Sequence, residues 1–215
     1  MKKILPFLIA ICFVFAGLNS RAQSFEGGVM VGAIASQING DGYGGFHQLG
    51  CTAGVFGRIP SDGPSSWQLE LKYSLFGAHS DTKEVEFGMN PMNIRLHYIE
   101  LPVMYRYNLA PFNFNGMPLD FITLEIGLSG DFLAKNSQAA NFENGFENPS
   151  WLFFSVTGNV GFQIELGERL GVNLRSMNSL TPCRWRPDSP SLFYGHYYNI
   201  VLQAALTYTL KASNK

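Results

Sequence analysis

The feature that most limits what this chain can become is a period-two alternation of apolar and polar residues, repeated over most of its length. In residues 67–76, Trp67, Leu69, Leu71, Tyr73 and Leu75 fall on one side of an extended chain, and Gln68, Glu70, Lys72 and Ser74 on the other. Successive side chains of a strand point to opposite faces, so such a run is a strand between two unlike environments. The pattern recurs in 121–132, in 152–166 and in 200–210, and shorter or glycine-rich versions occupy 25–36, 49–59 and 170–180. Residues 94–107 break phase, because Ile94, Leu96 and Tyr98 are out of step with Leu101, Val103, Tyr105 and Tyr107. A bulge near Ile99 and Glu100, beside Pro102, would restore the two faces. Eight strands result.

Their connections alternate in length. Residues 60–66, 108–118 and 167–169 are short or middling, whereas 37–48, 78–93, 135–150 and 181–196 are long. Strands that run up and down through an outer membrane have short periplasmic turns and long external loops. The polar face is mostly Gly, Ser, Thr, Asn and Gln with scattered charges, and charged residues make up only 14% of the chain, against roughly 25% in soluble domains. That face is a poor water-exposed exterior and a suitable filling for a narrow lumen. Trp67, Trp151, Tyr105, Tyr107, Tyr197 and Tyr208 near strand ends read as interfacial girdles. The expected fold is therefore all-β, an eight-stranded antiparallel up-and-down transmembrane β-barrel. The alternative is a soluble periplasmic, lipocalin-like barrel that binds an apolar ligand inside, with its apolar face turned inward.

Export is expected from the first residues. Met1, Lys2 and Lys3 precede an uncharged apolar run over 4–18, and Ser20, Arg21 and Ala22 place small residues where a signal peptidase reads. The run is too short for a spanning helix, which predicts a cleaved signal peptide over 1–22 and a barrel domain over 23–215. A net charge of −1 supplies no basic face for a nucleic acid. Cys51 and Cys183 remain after processing, either as a disulfide or as two unpaired thiols.

Catalytic motifs such as GxSxG, HExxH or a P-loop do not occur. His79, Ser80 and His196 near external loops could supply pieces of a lipid-modifying enzyme, but a nucleophile needs a base and an orienting group. Asn39 and Asp41 sit in a glycine-rich loop that lacks the ligand set of a calcium-binding EF-hand. No catalytic, cofactor or metal residues are expected, and no cofactor. The strand phases instead aim Glu70, Lys72, Glu100, Arg106, Glu125, Glu165 and Arg175 into the lumen, where buried charges must pair. They predict a polar plug rather than a conducting path, since eight strands leave room only for side chains. Loop 181–196 carries Arg184, Trp185, Arg186 and Tyr194, the Arg and aromatic mixture common at binding hot spots, and is the expected external contact loop.

Two groups of residues also carry a resemblance. The stretch from Ala35 through Asn39, Gly40, Asp41, Gly42 and Tyr43, followed by Gly44, Gly45, Phe46, Leu49 and Gly50, resembles the first hairpin of the PorT-like outer-membrane β-barrel family of Bacteroidetes. Glu70, Leu71, Lys72, Tyr73 and Ser74, and Tyr98, Ile99, Glu100, Leu101 and Pro102, resemble its third and fourth strands. The resemblance spans most of 23–215 and implies an outer-membrane location. One branch of the family is implicated in gliding and type IX secretion, and most members have no assigned role. The residue patterns predict a non-enzymatic outer-membrane barrel with a structural or interaction role in the envelope, and the resemblance to the secretion-associated branch implies an accessory role in protein secretion. Its expected partners are outer-membrane lipid and envelope or secretion-machinery proteins.

Overall fold

The structure is a computed structural model that describes residues 25–61, 63–81, 85–86, 92–140, 151–186 and 195–210. The expected signal peptide and Tyr194 lie outside the described residues. Eight strands carry the fold: β1 (Glu26–Asn39), β2 (Gln48–Pro60), β3 (Ser65–His79), β4 (Met92–Phe114), β5 (Met117–Ala140), β6 (Phe154–Glu165), β7 (Leu170–Ser179) and β8 (Tyr198–Leu210). Each pairs antiparallel with its neighbour in sequence, and β8 pairs with β1 to close a barrel in chain order. Closure leaves no sheet edge, so every strand can satisfy its backbone in a medium that offers no hydrogen bonds.

The register sets the width. Stepping once around from Gly27 through the directly paired Gly57, Leu69, Val103, Leu128, Gly158, Asn178 and Ile200 returns to β1 at Gln37, ten residues farther along. With about 3.3 Å per residue and about 4.8 Å between strands, that stagger tilts eight strands by about 40° and gives a barrel radius of about 8 Å. Such an interior is filled by its own side chains.

Which face is which decides between membrane and water. Val29, Val31, Val55, Leu69, Leu71, Leu101, Val103, Leu124, Ile126, Leu128, Val160, Leu202 and Leu206 are exposed on the outside. Gln68, Glu70, Lys72, Asn159, Gln163, Asn173, Gln203 and Thr207 are buried inside. A soluble ligand-binding barrel needs the opposite arrangement, and that alternative is overturned.

Three expectations change. Strand β4 keeps one phase throughout: Ile94, Leu96 and Tyr98 face inward in line with Glu100, Met104 and Arg106. The phase break in the sequence is thus a change in what fills the interior, from polar to apolar, and no bulge forms at Ile99 and Glu100. The irregularity lies on β5, where His97 pairs with Lys135 and Tyr98 with Leu133, leaving Ala134 as the extra residue. Second, the 108–118 connection is an extension of β4 and β5 that narrows to Asn115–Gly116. Both turn residues have positive φ, 49° and 82°, the conformation that a two-residue Asn-Gly hairpin requires. Third, Trp151 and Tyr197 do not join a lipid-facing girdle. They pack against the apolar cluster inside the barrel, whereas Trp67 and Tyr105 do meet edge to face, with ring centroids 5.2 Å apart.

Candidate functional site

The interior has two tiers. At the loop end, Ile34, Ile38, Phe76, Ala78, Met92, Ile94, Leu96, Tyr98, Leu133, Met177 and Val201 form a buried apolar cluster contributed by β1, β3, β4, β5, β7 and β8. Phe76 and Tyr98 meet with ring centroids 5.1 Å apart. Sequence reasoning missed this tier because Ile38, Ala78 and Met92 fall in segments read as loops and Ile94, Leu96 and Tyr98 read as out of phase. The signal was present in the out-of-step Ile94, Leu96 and Tyr98.

Below it lies an ion-pair network. Arg175 on β7 donates from Nη1 to Glu70 Oε2 and from Nη2 to Glu70 Oε1, both at 2.9 Å, and again from Nη2 to Glu125 Oε2 at 2.9 Å. Glu125 Oε1 accepts from Arg106 Nε at 2.7 Å, and Arg106 Nη2 lies 3.8 Å from the half-buried Glu165. Gln68 and Asn173 complete the shell by donating to Glu70 and Glu125 at 2.7 and 2.6 Å. Lys72 Nζ lies 3.4 Å from Glu100 and donates to Gln203 Oε1 at 2.9 Å. The strands bring all seven sequence-designated lumen residues into these contacts. At the turn end, Arg58 pairs with Glu26 at 3.2 Å.

One interior acid was not singled out. Asp131 on β5 stands directly opposite Glu100 on β4. It accepts from Ser129 Oγ at 2.5 Å and from the Thr157 hydroxyl. Buried carboxyls in this region, Glu70, Glu100, Glu125 and Asp131, outnumber the buried cations Lys72, Arg106 and Arg175 by one. The alternation that marked Glu125 as inward marks Asp131 equally.

The loop end is capped. Arg184 forms isolated bridges with Trp151 and Tyr197, and its guanidinium lies 5.0 and 5.6 Å from their ring centroids. Arg184 is buried in this cap, while Trp185 and Arg186 are exposed beside it. Trp185 packs edge to face on His196 at 4.6 Å, and His196 Nδ1 accepts from the Arg186 backbone N–H at 3.2 Å. His79 faces outward, and the Ser80 hydroxyl accepts from the Met92 backbone N–H at 3.0 Å. Cys183 is buried with Sγ 3.3 Å from the Tyr197 carbonyl, and burial pushes its thiol up to about 12. Cys51 is exposed on the outside of β2, so the two cysteines are free thiols. Among the described residues no group of three or more His, Cys, Asp or Glu side chains could hold a metal ion.

The family described as outer membrane protein beta-barrel domain matches residues 16–183, most of the chain. The chain belongs to that family. It is an outer-membrane protein, and its apolar exterior is the lipid-facing surface. Among solved structures it is similar to the attachment invasion locus protein Ail of Yersinia pestis, at 9% identity and a TM-score of 0.47 over 87% of this chain and 99% of that one. It is also similar to Neisserial surface protein A, at 7% identity and a TM-score of 0.44 over 86% of this chain and 96% of that one. A comparison with curated proteins finds no match.

Proposed function

We propose that this barrel is a non-enzymatic, non-conducting element of the outer membrane that works through its external rim. The observation that carries the reading is the doubly closed interior: Arg175 bridges Glu70 and Glu125 across the lumen, and the apolar tier lies between that bridge and the loop end. A small barrel filled in this way has no aqueous path. Buried ion pairs with additional hydrogen bonds hold one arrangement of the surrounding strands, because a lone buried charge costs several kcal/mol. The polar residues of the interior therefore act as a structural plug.

With the interior closed, specificity belongs to the loops. Trp185 and Arg186 are exposed next to a cap fixed by Arg184, and together with Tyr194 they form the external contact loop of this proposal. Export by a cleaved signal peptide over 1–22 is part of the same reading. The finer assignment to the PorT-like branch of Bacteroidetes, with an accessory role in protein secretion and envelope partners, rests on the motif resemblance around Tyr43, Tyr73 and Pro102. His79, Ser80 and His196 serve the rim's structure in this account.

Planar-bilayer recording of the refolded chain tests the proposal. Membranes containing folded barrel are expected to show no stepwise current, and Phe76→Ala combined with Arg175→Ala is expected to permit brief openings. Sustained channel conductance by the unaltered protein would replace the proposal with a transport role.

A further inference from the structure

Near the loop end the outward face carries a group of basic side chains. Arg95 and Lys135 are exposed there, and His97 is partly exposed. His97 on β4 is directly paired with Lys135 on β5, so both project to the same outward side, and Arg95 lies two residues along β4 on that side. Leu75 of β3 is paired with His97, and the Tyr73 hydroxyl lies 2.6 Å from His97 Nδ1. Among the described residues, no Asp or Glu lies on the outward face of any strand at this end. The described acids of the neighbouring loop are Asp81 and Glu86.

Height along the barrel places the group. From Tyr107, expected from the sequence at the turn-side interface, to His97 is ten residues of β4. At about 3.4 Å per residue and a tilt of about 40°, that is about 26 Å along the barrel axis, the height of the apolar band of such barrels. At that height Arg95 and Lys135 would stand among the headgroups of the leaflet on the loop side. Arg95 and Lys135 are diagonal neighbours on one face of the β4–β5 pair, within reach of each other, and an anion bound between them offsets their repulsion. Lys and Arg side chains beside an anionic membrane surface are attracted to it.

We infer that Arg95, His97 and Lys135 form a binding site for the phosphate of an anionic lipid in the outer leaflet, with its acyl chains lying along the apolar face below. Arg95 supplies a planar donor fork, Lys135 a point charge, and the Tyr73 hydroxyl fixes the ring of His97. This goes beyond the reading above, which assigns nothing to the lipid-facing side.

The test is lipid binding by the full refolded chain in neutral-detergent micelles, read as lipid adducts by native mass spectrometry. The probes are phosphatidic acid, phosphatidylcholine and inorganic phosphate. Phosphatidic acid is expected to bind about tenfold or more tightly than phosphatidylcholine, and Arg95→Gln with Lys135→Gln is expected to abolish the preference. The charge-keeping pair Arg95→Lys with Lys135→Arg should retain most of it. Arg169→Gln, a cation of the opposite rim, should leave it unchanged. Heat-modifiable gel migration establishes that each variant is folded. The inference is overturned if the folded Gln pair retains the preference, if Arg169→Gln lowers it equally, or if millimolar inorganic phosphate displaces the lipid.

Discussion

Arg175 on β7 and Glu70 on β3 meet across the lumen through two parallel hydrogen bonds of 2.9 Å, with both side chains fully buried. Breaking a buried pair by removing one charge costs about 3–5 kcal/mol. Glu70→Gln is therefore expected to lower the stability of the folded barrel by that amount in urea titrations followed by gel migration. Glu70→Gln combined with Arg175→Gln should cost less than the sum of the single changes, because neither charge is then stranded; Glu125 still contacts position 175, so recovery is incomplete.

Asp131 predicts the opposite sign. It stands opposite Glu100 where carboxyls exceed cations by one, and like charges on opposed strand positions repel. Asp131→Asn keeps the volume and an acceptor for Ser129 or Thr157. Its unfolding midpoint is expected to equal or exceed that of the unaltered chain, whereas Glu70→Gln falls below it. A large loss on Asp131→Asn would show that the charge is needed.

The apolar tier should behave as a protein core. Leu96 is fully buried among Phe76, Tyr98 and their neighbours, and Leu96→Ala is expected to cost about 2–5 kcal/mol. The lipid-facing Leu101→Ala, by the same measurement, should cost much less. Equal losses at both positions would contradict the inward assignment of Leu96.

Cys183 gives a pH signature. Burial holds its thiol protonated up to about 12, against an ordinary value of 9.0. The folded state keeps a proton that the unfolded chain releases above pH 9, so this contribution is fully present below pH 9 and is lost as pH rises towards 12. The slope is about 1.4 kcal/mol per pH unit at most, and Cys183→Ser should remove it in alkaline unfolding titrations. At pH 8, iodoacetamide is expected to label Cys183 only after heating.

Much of this architecture was legible because alternation reports two unlike environments. Where one face meets lipid and the other a polar lumen, as in Leu69, Glu70, Leu71 and Lys72, each residue type announces its side. The signal fails where both sides are apolar. Ile94, Leu96 and Tyr98 look like lipid-facing residues in sequence, and only the register through Glu100 to Arg106 shows that they point inward. Trp151 and Tyr197 failed similarly, since an aromatic near a strand end suits either a girdle or a cap. The Arg184 cap depends on two isolated bridges between segments distant in sequence, which no local pattern encodes. The hairpin at Asn115–Gly116 is readable from its turn chemistry, whereas by length alone 108–118 reads only as a middling connection.

The most direct test of the account is which end of the barrel faces the cell exterior. In a chain with Cys51 and Cys183 replaced by serine, Trp185→Cys and Asn115→Cys place single thiols at the loop and turn ends. A membrane-impermeant maleimide on intact cells is expected to label position 185, and to label 115 only after the outer membrane is permeabilised. Labelling of 115 but not 185 on intact cells would contradict the orientation and, with it, the assignment of function to the external rim.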